Sequence, residues 1–280
     1  MKDIRGGNAI VTGASRGIGP YIAKTLAREG VNLVLAARDA ARLEETRAAC
    51  ESLGVRALSV GTDVTLGGDR QRLIETAVRS GPIDILVNNA GVEYPGSLTE
   101  LSFDEVDGIL ETNLRAPVHL SKLVLPAMLE RKRGAIVHVS SMAGKGGAPY
   151  NSIYSTTKFG LQGLVESMQF ELEGTGVHMA TVCPGFVSEA GMWANGGQKA
   201  PRMMREVSPQ RVADGVLKAI RGAREVLVVS GPIRPLLALN QLFPGLQRPL
   251  IKRMGVDTAM RRPRVQEAAP EEERETADIR

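Results

Sequence analysis

The chain has 280 residues, 43% hydrophobic and 24% charged, with a formal net charge of +4. That is an ordinary soluble globular composition, large enough to bury a real core as one large α/β domain or two small ones. Two cysteines (Cys50, Cys183) without metal-ligand spacing argue against a disulfide framework and a structural zinc site, and the three scattered histidines (His119, His138, His178) read as core or surface filler.

Residues 8–12 are a short apolar run, and no signal-peptide pattern precedes it, so a cytoplasmic protein is expected. The run enters Gly13-Ala14-Ser15-Arg16-Gly17-Ile18-Gly19, and a helical pattern follows through Arg28. Glycines let a backbone turn sharply and approach a pyrophosphate, while a helix N-terminus offers free N–H groups and a positive dipole end. The spacing Gly-x-x-x-Gly-x-Gly leaves a plain tight strand–helix turn as the lesser alternative. Pro20 fits the first helical turn, where its missing N–H has no partner.

Residues 31–36 read as the second strand. About 20 residues past the glycines, an NAD-binding unit usually places an acidic side chain for the ribose 2′-hydroxyl. Here Ala37 and then Arg38 occupy that place, which suits a 2′-phosphate, and Arg16 can reach the same group. Asp39 keeps NAD(H) open as the weaker reading.

A helix over 40–52, a strand over 55–60 ahead of Thr62-Asp63-Val64, and a helix over 69–78 come next. A strand over 83–87 leads to Asn88-Asn89-Ala90-Gly91, and a single long helix over 103–131 carries Asn113. A strand over 135–139 ends at Ser140-Ser141, and a glycine-rich loop leads into a helix over 153–172. In that helix Tyr154 and Lys158 stand four apart on one face. A charge about 4 Å from the phenol, at an effective dielectric of about 20, favours the phenolate by roughly 4 kcal/mol, or about three pKa units. That would bring a tyrosine into range for acid–base work, although the same spacing arises by chance on solvated faces. A strand over 177–182 ends at Cys183-Pro184-Gly185, residues 188–206 read as a mobile lid, and a helix (213–221) and a strand (225–229) close the pattern. Continuous apolar strands alternating with helices predict one doubly wound, Rossmann-type α/β domain over 1–230 with a mainly parallel sheet. Its polar residues fall at the C-terminal strand ends, where such sheets bind ligands.

Beyond 230 the character changes. Residues 231–264 carry seven basic side chains and one acidic, and 265–280 two basic and six acidic. The basic charge is therefore local, and nucleic-acid binding by the main body is not expected. The uncharged run over 235–247 is too short to span a bilayer. With Arg248, Lys252 and Arg253 beside it, the segment suits either a membrane surface or packing over a pocket or a partner subunit. The charged tail is expected to be disordered.

Thr12-Gly13-x-x-x-Gly17-x-Gly19, Asn88-Asn89-Ala90-Gly91, Asn113, Ser141, Tyr154-x-x-x-Lys158 and Pro184-Gly185, in this order and spacing, resemble the short-chain dehydrogenase/reductase family over roughly residues 5–230. The resemblance implies hydride transfer between NADP(H) and a carbonyl or secondary alcohol in a homodimer or homotetramer. It implies Tyr154 as general acid/base, and Lys158 as the group that lowers the tyrosine pKa and holds the nicotinamide ribose. Ser141 would polarise the substrate oxygen and Asn113 would hold a relay water. Gly13, Ser15, Arg16, Gly17, Ile18 and Gly19 would take the pyrophosphate side, with Asp63 and Val64 at the adenine. Asn89, Ala90, Gly91, Pro184, Gly185 and Val187 would line the rest. Glu189, beside Ser188, departs from the family's pattern, standing where the family often has a cofactor-touching threonine. Met192, Trp193, Met203 and Met204 suggest an apolar substrate. A silent dinucleotide sensor and a peripheral-membrane scaffold are the competing readings.

Overall fold

The computed structural model describes residues 1, 3–192, 205–231, 233–253 and 255–260. Most of the expected lid, including Trp193, Met203 and Met204, and the whole acidic tail lie outside the described residues.

Seven strands form one sheet: β1 (Asn8–Thr12), β2 (Asn32–Ala37), β3 (Ala57–Gly61), β4 (Ile85–Asn88), β5 (Gly134–Val139), β6 (Val177–Pro184) and β7 (Glu225–Val228). The order is β3-β2-β1-β4-β5-β6-β7, and all six neighbouring pairs are parallel. The chain first moves outward from β1 to β3 and then returns past β1 to β4. The reversal opens a crevice at the carboxyl ends of β1 and β4, the place where open α/β sheets take ligands.

Strand alternation sorts the core into two layers. Val11, Leu35, Val87 and Val137 face one side, against Ile22 and Leu26 of α1 (Gly19–Arg28) and Val212 and Val216 of α7 (Pro209–Ile220). Their neighbours Ile10, Val34, Leu86 and Ile136 face the other side. There they meet Leu73 of α3 (Gly67–Ser80), Leu120 and Val124 of α5 (Ala116–Glu130), and Val165 of α6 (Ser152–Glu171). Each such side chain contributes roughly 1.5–3 kcal/mol by leaving water, so both layers hold the sheet between them. Asp39 caps α2 (Ala40–Glu51) by accepting the Arg42 backbone N–H at 3.1 Å.

The long helix expected over 103–131 is three pieces. α4 (Phe103–Leu110) opens on a reciprocal Ser102–Glu105 capping box, Glu111–Arg115 is a π-turn, and α5 follows. The cause is local. Pro117 has no N–H to give the carbonyl of Asn113 four residues earlier, so the ladder shifts there. The helix expected from 213 begins earlier, at Pro209, because Ser208 caps it by accepting the Arg211 N–H. The first residues of the expected lid are pinned rather than loose. A bridge joins Val187 to Val207, and the Ser188 N–H donates to the Val207 carbonyl at 3.0 Å. After β7 come three short helices, α8 (Ile233–Leu242), α9 (Gln247–Arg253) and α10 (Val256–Met260).

Candidate active site

Two cavities meet over the carboxyl end of the sheet. The first, about 780 Å³, lies against β1, β2 and β4 and is lined by Gly13, Ser15, Arg16, Gly17, Ile18, Arg38, Asp63, Val64, Asn89, Ala90 and Gly91. Its floor is backbone. Gly13 has φ +64° and lies so near Ala90 that an added Cβ would stand 2.8 Å from its Cα. Gly19 does not line the cleft; a Cβ there would run into the Gly13 carbonyl, so it packs the helix start against the turn behind the site. Thr12 and Asn89 hold the two strand ends together. The Thr12 hydroxyl accepts from the backbone N–H groups of Asn89 (3.0 Å) and Ala90 (3.1 Å), while Asn89 Nδ2 donates to the carbonyls of Thr12 (2.9 Å) and Gly13 (3.2 Å). A glycine floor at the N-terminus of α1 fits a pyrophosphate.

At the far end of this cleft stand Arg16, Arg38 and Arg42, the last unnoticed in the sequence although it follows Arg38 by one helical turn. Arg38 is 64% exposed and lies 4.0 Å from Asp63. Asp39 is committed elsewhere: its carboxylate caps α2 and pairs with Arg42 at 3.7 Å. That weakens it as a ribose acceptor and leaves three guanidinium groups lining this end of the cleft. The residues present fit a dinucleotide with a phosphorylated ribose.

The second cavity, about 270 Å³, is walled by apolar side chains, among them Met142, Phe186, Met192, Leu237, Ile251 and Met260. Ser141, Tyr154, Lys158, Pro184, Gly185 and Val187 line it, as does Glu93. Ile18, Asn89, Gly91, Ala190, Gly191 and Met192 border both cavities, so the two are continuous. The Tyr154 phenol and the Ser141 hydroxyl are near enough to interact. The Ser141 hydroxyl also caps the short turn after β5 by accepting the Ala143 N–H at 3.1 Å.

Here the structure corrects the expected electrostatics. Burial, followed by the Glu93 carboxylate, pushes the Tyr154 phenol well above its ordinary value, and the Ser141 hydroxyl offsets only part of that. Lys158 does not reverse this. It is itself 3% exposed, its Nζ sits 5.3 Å from the Tyr154 ring centroid, and it donates to the Val139 carbonyl at 3.0 Å. Burial brings it down to about 8. The low dielectric penalises both charged forms, and this outweighs the attraction that helical spacing alone suggests.

Asn113 lies behind Gly91, which lines both cavities. It is fully buried and borders neither cavity; its Nδ2 donates to the Val92 carbonyl and its Oδ1 accepts the Val92 N–H, both at 2.8 Å. The side chain therefore fixes the loop after β4. Beneath Lys158 lies a polar layer that the sequence did not reveal. Gln162, one turn on, donates to Ser140 Oγ (3.1 Å) and Cys183 Sγ (2.9 Å) and accepts from Thr181 (3.1 Å), while Ser140 Oγ donates to the Lys158 carbonyl (3.1 Å). The i+4 step from Lys158 was its only trace in the sequence.

A family model described as "short chain dehydrogenase" matches residues 7–200. The chain belongs to the short-chain dehydrogenase/reductase family of oxidoreductases. The ketoacyl reductase HetN of Nostoc sp. (strain PCC 7120) is 39% identical over 251 residues, covering 87% of this chain and 88% of that protein. A metagenomic short-chain oxidoreductase in complex with NADP superposes with a TM-score of 0.69 at 33% identity, over 81% of this chain and 97% of that one. A variant of the actinorhodin polyketide ketoreductase with NADPH gives 0.73 at 32% identity, over 79% and 95%.

Proposed function

We propose that this protein reduces the keto group of an apolar substrate, or oxidises the corresponding secondary alcohol, with NADP(H) as hydride partner. One observation carries the reading: the Ser141–Tyr154 pair lies in an apolar cavity that opens directly into the dinucleotide cleft. A bound dinucleotide supplies or accepts the hydride. The chain supplies the proton. Burial keeps Tyr154 protonated, which suits donation to a carbonyl oxygen as it gains charge, and Ser141 orients that oxygen by hydrogen bonding. Lys158, four residues along the same face, offers an ammonium that offsets the charge left on the phenol. Apolar walls exclude water, which strengthens each of these interactions.

The keto-reducing names of the Nostoc and actinorhodin relatives support reduction, and the NADP and NADPH of the solved relatives agree with Arg16, Arg38 and Arg42 in the cleft. A homodimer or homotetramer in the cytoplasm belongs to the same reading. Phe103, Leu123 and Phe170, exposed on α4, α5 and α6, support a subunit interface there. The test is NADPH consumption, followed by absorbance, with a panel of ketones and 3-ketoacyl thioesters of rising chain length. Turnover that needs Tyr154 and rises with apolar length is expected. No consumption with any of them would sink the proposal.

A further inference from the structure

The C-terminal helices have two faces, and only one is spent on the cavity. Leu237, Ile251, Val256 and Met260 form part of its wall. On the other face Leu239, Leu242, Phe243 and Leu246 are 43%, 73%, 56% and 49% exposed. Leu239 and Leu242 stand three apart on α8, and Phe243 and Leu246 continue the exposed apolar run through the 3-10 turn over Pro244–Leu246. The turns are continuous: the Phe243 N–H donates to the Leu239 carbonyl at 2.9 Å and the Leu246 N–H to the Phe243 carbonyl at 3.0 Å. Arg234, Arg248, Lys252 and Arg253 are exposed on either side, and residues 233–253 contain no Asp or Glu. Such a patch on a globular protein marks a contact surface.

We propose that this stripe docks on the surface of an anionic lipid bilayer, setting the helices that wall the substrate cavity against the membrane. Leucine and phenylalanine side chains flanked by Lys and Arg are the composition that lies at the headgroup boundary, with the apolar groups below it and the cations on the phosphates. Crossing is ruled out for this segment: α8 has 10 residues, about 15 Å of helix, and among the described residues no helix is long and apolar enough to span. Two other occupants fit less well. A second copy meeting the same face would set arginines and lysines against their own kind, with no carboxylate in the stripe to pair them. The acidic tail over 265–280 matches the charge but offers only Val265 and Ile279 as large apolar groups, too few to cover four. The docking surface stands whether or not the catalytic reading holds.

The full chain is mixed with vesicles of phosphatidylcholine alone or with phosphatidylglycerol, and binding is read by co-sedimentation at low and high salt. The wild type is expected to sediment only with the anionic vesicles and to release as salt rises. Leu242→Ser/Phe243→Ser and Arg248→Glu/Lys252→Glu are each expected to lower the partition coefficient by at least about tenfold. Both should retain the wild-type melting temperature and, by light scattering, the wild-type mass. Absence of wild-type binding, or unchanged binding by both variants, overturns the proposal. A drop in mass in either variant also overturns it, because the stripe would then be a self-interface.

Discussion

The two cavities are built by opposite means. The dinucleotide cleft is a backbone surface: a positive-φ glycine, the N-terminus of α1, and Thr12 and Asn89 tying two strand ends together. Its parts lie in short contiguous stretches and depend little on the bulk of any side chain. The substrate cavity is a side-chain surface, assembled from β5, α6, the segment after β6 and the C-terminal helices. Its chemistry depends on desolvation, which moves Tyr154 and Lys158 far from their ordinary values, as it does His138 deeper in the same sheet. A backbone cradle can recur wherever a strand–turn–helix recurs. A desolvated acid–base group has to be assembled by the whole fold.

The sharpest way to separate the halves is Tyr154→Phe. The ring still packs, so NADPH binding by fluorescence titration should stay within about twofold, while turnover falls by about 10²–10⁴. Retention of more than about a tenth of the rate would show that the proton comes from elsewhere.

The second test reads the desolvation directly. His138 is fully buried on β5, and burial, followed by the Lys158 charge, brings it down to about 3. The unfolded chain therefore binds a proton below about 6.5 that the folded chain refuses until about 3. The stability carried by the neutral ring is complete above 6.5 and drains away as pH falls toward 3, by up to about 1.4 kcal/mol per pH unit. Urea titrations of wild type and His138→Leu across that window should show a shallower acid limb in the variant; equal slopes would mean that the ring is hydrated.

Cofactor choice tests the other half. A charge-assisted contact contributes about 1.5–3 kcal/mol, so on the proposed reading Arg38 alone is expected to favour NADPH over NADH by roughly 10- to 150-fold. Ala37→Asp with Arg38→Leu should reverse the ratio of kcat/KM for the two cofactors at fixed ionic strength, without changing which ketones are accepted. A wild type that prefers NADH would return the role to Asp39 despite its cap.

Two smaller effects complete the contrast. Ile251→Ala should raise KM for a long apolar ketone by about tenfold and leave KM for NADPH alone, since the lost methylenes touch only the substrate side. A rise in both would mean that the C-terminal helices support the cleft as well. Glu189, exposed at φ +62°, places a carboxylate at the edge of the dinucleotide cleft. Glu189→Gln should lower KM for NADPH by up to about fivefold at low salt, with the gain fading as salt rises. An unchanged KM would show that the carboxylate points away from the phosphates.

By itself the sequence determined what depends on short range. Strand runs, the glycine turn, the Arg38 position after β2 and the Tyr154–Lys158 spacing were all legible, because period, turn chemistry and i,i+4 geometry act within a few residues. Boundaries slipped where a local signal was overlooked: Ser208 capping α7, and Pro117 breaking the ladder at Asn113. The tertiary structure alone decided the rest. It buried Lys158 and Tyr154 together, so desolvation outweighed the attraction inferred from spacing, and it turned Asn113 onto Val92. It also joined Leu237, Ile251 and Met260 to a cavity whose other walls lie far back along the chain. Burial and dielectric are properties of what surrounds a group on every side, and most of what surrounds these groups is distant in sequence.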